Sequence, residues 1–260
     1  MMLQADDLHC QRDGKPVLKG LGLQLAAGEM VGIIGPNGAG KSSLLMALAG
    51  LLPLTSGTLR LGDMEPSSLT LAARARRVGY LPQQPVLAWP LSVRELVGQG
   101  RFPHPANREA DAKAIDTALV RTELTTLADR DVATLSGGEC ARAHLARLLA
   151  GEHELLLCDE PVAALDPYHQ LAFLALLQTL AHEGRGVVVV LHDLALAARW
   201  CDRVLVLAGG RAVVCGAPDL VLEDGLLERV FRVRGARDQQ GRLLSLAPLD
   251  LDAPHRAAGA

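Results

Sequence analysis

"LQADDLHCQ" reads as a strand and "LGLQL" alternates apolar with polar positions, on either side of the turn signal "DGK", which predicts strands at the N-terminus. "MVGIIG" follows a different rule. It is wholly apolar and stops at glycine, the pattern of a strand covered on both faces in a parallel sheet. "KSSLLMALAGLL" then adopts helical spacing and ends at Gly50 and Pro53, while "TLRLGD" and "VGYLPQ" read as short strands. From about Gln84 to Ala150 the apolar positions of "SVRELVGQG", "AKAIDTALVRTEL" and "ARAHLARLLA" recur at helical spacing, which predicts an inserted helical subdomain over about 84–150. "ELLLCDEP" and "GVVVVLHD" restore buried strands on either side of the helical "HQLAFLALLQTLAHEG". Strands alternating with helices imply a doubly wound α/β core. No internal repeat is visible, so the expectation is a single domain over 1–240, a tail over 241–260 and frayed residues at "HRAAGA".

Composition narrows the function. The 260 residues are 49% hydrophobic and 21% charged, with a net charge of -3, and this balance argues against a nucleic-acid-binding surface. Cys10, Cys140, Cys158, Cys201 and Cys215 are dispersed without a C-x-x-C pair, as expected of reduced thiols and not of a disulfide framework or metal site. The N-terminus lacks the charged and apolar regions of a signal peptide. The longest apolar runs fall short of the roughly 18 residues that span a bilayer, so any membrane role is expected to come through a partner.

Lysine occurs only at Lys15, Lys19, Lys41 and Lys113, and one of these completes a motif. "GPNGAGKSS" (Gly35, Pro36, Asn37, Gly38, Ala39, Gly40, Lys41, Ser42, Ser43) matches G-x-x-x-x-G-K-[ST] between an apolar strand and a helix. Glycines there let backbone N–H groups cradle an anion, Lys41 reaches the β and γ phosphates, and the Ser42 hydroxyl suits Mg²⁺. The fold expected is therefore an α/β P-loop NTPase (RecA-like). It has a mostly parallel core sheet, an N-terminal antiparallel β subdomain and the inserted helical subdomain. Asp159 and Glu160 close a buried strand; beside a phosphate loop the first suits Mg²⁺ and the second suits a base for the attacking water. His192 and Gln83 end strands that reach the same edge of the sheet, though Gln84 adjoins Gln83. "LSGGE" opens a helix with Ser136, Gly137, Gly138 and Glu139, a start whose dipole and paired glycines suit an anion. Its Ala141, Leu145, Leu148 and Leu149 face would anchor it.

From about Leu3 to Phe231 the chain resembles the ATP-binding subunit of ATP-binding-cassette (ABC) transporters. The likeness rests on "GPNGAGKSS", "YLPQQ", "LSGGE", "LLLCDEP", "ALD" at Asp166 and "LHD" at His192, in that order. "WPLSVRELVGQGRFPH" and "LDPYHQ" look like the subgroup that powers bacterial importers of iron–siderophore, haem or cobalamin complexes. The resemblance implies that two copies sandwich two ATP molecules head to tail, the phosphate loop of one facing "LSGGE" of the other. It implies that Ser42, Asp159 and Gln83 attend Mg²⁺, that Glu160 is the general base, and that His192 contacts the γ-phosphate. Gln83 would also couple to the membrane subunits, and Asp166 would cross the dimer interface. The partners implied are integral membrane permease subunits and, indirectly, a solute-binding protein; the place is the cytoplasmic face of the bacterial inner membrane.

Three departures stand out. Cys140-Ala141 replace two glutamines usual after "LSGGE", and Ala163 replaces a common serine. Counting back from Gly14, Cys10 with His9 beside it falls where relatives place an adenine-stacking aromatic, which implies a weaker grip on the base. Competing classes fit less well. A GTPase would need N-K-x-D, which is absent, a small-molecule kinase gives no reason for "LSGGE", and a non-transport ABC ATPase would usually carry a second cassette or basic inserts.

Overall fold

The computed structural model describes residues 1–85, 89–238, 241 and 243–249; "HRAAGA" lies outside them. In it β1 (Leu3–Arg12) pairs antiparallel with β2 (Lys15–Leu25) and, after β3 (Met30–Ile34) and α1 (Lys41–Leu48), with β4 (Leu54–Leu61). These three strands form the N-terminal antiparallel sheet. Strict alternation along β1 breaks at Asp7, whose φ of 50° makes a bulge, so the buried set steps from Leu3 and Ala5 to Leu8 and Cys10.

β3 belongs to the second sheet. With α2 (Leu71–Arg77) leading into β5 (Val78–Leu81), and with β6 (Leu155–Asp159), β7 (Gly186–Val190), β8 (Arg203–Ala208) and β9 (Arg211–Gly216), it forms six strands ordered β5-β6-β7-β3-β8-β9. All pairings are parallel except β8–β9, a hairpin at the edge. Period-2 alternation divides the apolar strands between two layers. Leu155, Leu157, Val188 and Val190 pack against α1 and the N-terminal sheet, whereas Leu156, Cys158, Val187 and Val189 face the opposite layer. That opposite layer includes α6 (Pro167–His182) and α7 (Leu194–Trp200).

Between β5 and β6 the described residues contain helices and no strand: α3 (Val93–Gly98), α4 (Arg108–Arg121) and α5 (Gly137–Ala150). Each begins on a side-chain cap, from Ser92, Asn107 and Ser136. Leu145, Leu148 and Leu149 of α5 are buried and Ala141 packs beside them, as the sequence pattern indicated.

The chain does not become a tail at 241. After α8 (Pro218–Val221) and α9 (Asp224–Leu226), β10 (Val233–Arg237) pairs antiparallel with β11 (Leu243–Pro248), which packs on α7. Leu243 joins the core cluster that holds Leu227.

Two histidines are buried on the helical side, His144 on α5 and His153 just before β6. Burial pushes both imidazoles down to about 4, helped at His144 by Arg147 and at His153 by His104 and Arg185 against a bond to the Arg76 carbonyl. Unfolded, both would titrate near about 6.5. The folded chain therefore binds fewer protons than the unfolded one, so their stabilisation is complete above that value and is lost as pH falls toward about 4. Urea denaturation at about pH 7.5 and about pH 5 should show a fall in midpoint that shrinks in a His144→Asn/His153→Asn variant; an undiminished fall would contradict this assignment.

Candidate active site

Parallel strands bring their C-terminal ends to one edge of the sheet, and the expected groups arrive there on successive loops. Lys41 follows β3, Gln83 follows β5, Asp159 and Glu160 end β6, and His192 follows β7. The segment Asn37–Ser43, Gln83, Glu160 and His192 line one cavity of about 580 Å³. The loop from β3 to α1 depends on glycine. Gly40 has φ +102°, and a Cβ there would stand 2.8 Å from the Val17 carbonyl oxygen; Gly35 likewise lies against the Leu207 carbonyl. α1 starts at Gly40 with no side-chain cap and no acidic residue in its first turn, so its leading N–H groups remain available to an anion.

Charge is buried on both sides of this loop. Lys41 is 6% exposed, and its Nζ donates to the Gly35 and Pro36 carbonyls at 2.9 and 3.2 Å. Burial lowers its pKa, against the pull of Glu160 and Asp159. Asp159 is 2% exposed and its pKa is raised, first by burial, with the Ser42 hydroxyl acting the other way. Its Oδ1 has no hydrogen-bond partner among the described residues. The Tyr80 phenol, on β5, is pushed up to about 12, first by burial and then by the Asp159 carboxylate, so it stays neutral. Sequence reasoning passed over Tyr80 because an aromatic in a strand reads as an ordinary strand former.

Glu160 stands in the left-handed region at φ 50° and its carboxylate is bracketed. Gln83 Nε2 donates to one oxygen at 2.5 Å, and His192 Nε2 lies 2.5 Å from the other. A carboxylate held at both oxygens beside an anion-binding loop suits proton transfer from a positioned water once one bracket opens.

The remaining expected residues are not in this cavity. Ser136 caps α5: its hydroxyl accepts from the Glu139 amide at 3.3 Å, and the Glu139 carboxylate accepts from the Ser136 amide at 2.8 Å. The Glu139 side chain is thereby committed to the helix start, a capping box legible as S-x-x-E. Asp166 caps α6 and takes both the His169 amide and its Nδ1, at 3.0 and 2.8 Å. Gly138 lies near His169 and Leu165, so Ser136–Gly138 and Asp166 form a second group beside each other on the same chain.

The Cys10 expectation is overturned. Cys10 is fully buried in the core under the N-terminal sheet, and no base can reach it. Alternation along β1 turns Leu8 and Cys10 into the core, and among the described residues Arg12 of β1 and Val17 of β2 line the cavity.

A protein-family model described as ABC transporter matches residues 18–163. A hemin import ATP-binding protein, HmuV, of Pseudomonas fluorescens is 47% identical over 236 residues, spanning 88% of this chain and 92% of its own. The protein of the same description from Bordetella parapertussis is 42% identical over 261 residues, spanning 95% and 100%. Among solved structures, a metal-chelate type ABC transporter in an inward-facing conformation superposes with a TM-score of 0.81 at 26% identity, covering 95% of this chain and 97% of that one. A dimeric bacterial ABC transporter cassette does so at 0.76 and 28%, covering 84% and 99%.

Because a side chain at Gly40 meets backbone and not a movable group, Gly40→Ala should cost about 1–3 kcal/mol. A urea midpoint equal to that of the unsubstituted chain would contradict the strain described here.

Proposed function

Because the chain belongs to the ABC transporter family, we propose that it is the ATP-hydrolysing subunit of a bacterial importer of haem, acting as a pair of copies beneath a membrane permease. The observation that carries the catalytic part is the cavity that joins the phosphate loop, Lys41 and a doubly bracketed Glu160. The haem assignment is supported by the named relatives at 42–47% identity, and it refines the wider expectation of an iron complex or cobalamin.

The steps belong to this chain's residues. Lys41 exchanges its two carbonyl partners for phosphate oxygens as the α1 amides receive the same anion. Mg²⁺ fits the donor set. Asp159 offers a buried oxygen without a partner and Ser42 stands against the same carboxylate, while no cluster of three or more His, Cys, Asp or Glu among the described residues is disposed to hold a metal without the nucleotide. Bound, the metal would offset phosphate charge. Gln83 then leaves Glu160, whose freed oxygen takes the proton of the attacking water, and His192 keeps the other oxygen oriented and reaches toward the γ-phosphate. Arg12 lays a planar cation on the base, a role its place in the cavity wall supports.

Ser136–Gly138 and Asp166 are outside the cavity of their own chain, so they serve the site of a second copy, an arrangement that the dimeric cassette supports. No helix among the described residues is long and apolar enough to cross a membrane. Transport therefore depends on permease subunits, with this chain at the cytoplasmic face and a solute-binding protein delivering haem from outside.

Removing the base while keeping its shape separates binding from chemistry. Glu160→Gln should lower ATP turnover by at least about a hundredfold and accumulate an ATP-bound dimer on size exclusion. Unchanged turnover would refute the base assignment. Arg12→Ala should weaken ATP binding by about three- to tenfold, read by fluorescence titration, and an unchanged affinity would remove it from the base subsite. For the cargo, native complexes purified from membranes should bring a polytopic permease and support haemin uptake into vesicles; uptake of a different iron complex alone would reject haem.

A further inference from the structure

Of the segment "LDPYHQ" the proposed site uses Asp166 alone, yet both oxygens of that aspartate are held by His169. Oδ1 accepts from the His169 amide at 3.0 Å, and Oδ2 lies 2.8 Å from Nδ1 of the same residue. A carboxylate can only accept, so Nδ1 carries the proton and donates. With both oxygens engaged, the soft terminal torsion of the aspartate is fixed. Capping α6 needs only the first bond, which comes from the backbone, so the ring bond is additional to the helix start. The Asp166 side chain is 60% exposed and the imidazole 30%, so the carboxylate faces outward from a more sheltered base.

The ring also stands at a seam, because α6 belongs to the core and α5 to the helical insert. A Cβ at Gly138, in the first turn of α5, would lie 4.0 Å from Nδ1. Tyr168 meets the imidazole edge-on, with ring centroids 5.2 Å apart and planes at 84°. His169 further lines a small cavity with Arg142 and Leu145 of α5 and Phe173 of α6.

We propose that His169 is a positioning residue that ties the Asp166 carboxylate to the start of α5, so that the two helix starts meet the second copy as one unit. This rests on the reading that Ser136–Gly138 and Asp166 serve the site of another chain. His169 acts through Asp166 and lies outside the phosphate cavity of its own chain.

Full-length chains are compared for ATP turnover, for urea midpoint, and for binding of a fluorescent, non-hydrolysable ATP analogue below the concentration at which pairs form. His169→Leu keeps the backbone cap and loses only the ring bond. Its urea midpoint and analogue affinity should match those of the unsubstituted chain, while turnover at saturating ATP falls about fivefold. His169→Asn, whose amide can donate from the place of Nδ1, should restore most of that turnover. Asp166→Ser keeps a helix cap and loses the second oxygen, and in that background His169→Leu should lower turnover no further. If His169→Leu leaves turnover unchanged while Asp166→Ser lowers it, the positioning role is wrong and the interface role of Asp166 stands. If neither substitution changes turnover, both are wrong. Losses that multiply in the double variant, no rescue by His169→Asn, or a fall in urea midpoint that parallels the loss would each overturn the proposal.

Discussion

Two opposite charges are buried at one edge of the sheet without being paired to each other. Lys41 is bonded to backbone carbonyls, and Asp159 keeps one oxygen without a partner among the described residues, although each is almost wholly removed from water. Burial weakens both charged forms, lowering the pKa of the lysine and raising that of the aspartate. Such an arrangement costs stability in the empty chain and is relieved by a ligand that brings negative phosphates to the ammonium. Binding then stabilises the fold by mass action, and the edge of the sheet becomes the place where nucleotide and conformation are coupled.

The rest of the molecule can be read as support for that edge. Apolar strands covered on both faces hold Asp159 and His192 in register with the phosphate loop. The glycines at Gly35 and Gly40 let the loop press against the Leu207 and Val17 carbonyls, closer than any side chain permits. The helical insert carries Ser136 away from this cavity and seats it near Asp166, where both are occupied as helix caps. One chain thus presents a complete phosphate cradle and, elsewhere, a pair of helix starts with exposed serine and aspartate.

Much of this was legible in the residues alone. The phosphate loop, the strand-end carboxylates and His192 announce themselves because apolar runs stop at them, and the parallel topology follows from the same runs. What escaped had local physical causes. A count from Gly14 selected Cys10, but alternation along β1 turns Cys10 into the core, and Arg12 lines the cavity instead. Strand β11 is anchored chiefly by Leu243 and is exposed elsewhere, too weak a periodicity to separate from a tail. Tyr80 looks like any strand aromatic until the neighbouring strand supplies Asp159. The bracketing of Glu160 by Gln83 joins residues 77 positions apart, a relation that no sequence spacing reveals.

The central claim is that the nucleotide site is completed across two copies, by Lys41 of one chain and Ser136 of another. Complementation measures it directly. Chains carrying Lys41→Met and chains carrying Ser136→Arg are each assayed alone and then mixed, with ATP turnover as the readout. A composite site predicts that each variant alone is inactive and that mixing restores activity, because the mixed dimer holds one site in which both residues are intact. A site completed within one chain predicts that the mixture stays as inactive as its components, and that result would contradict the account.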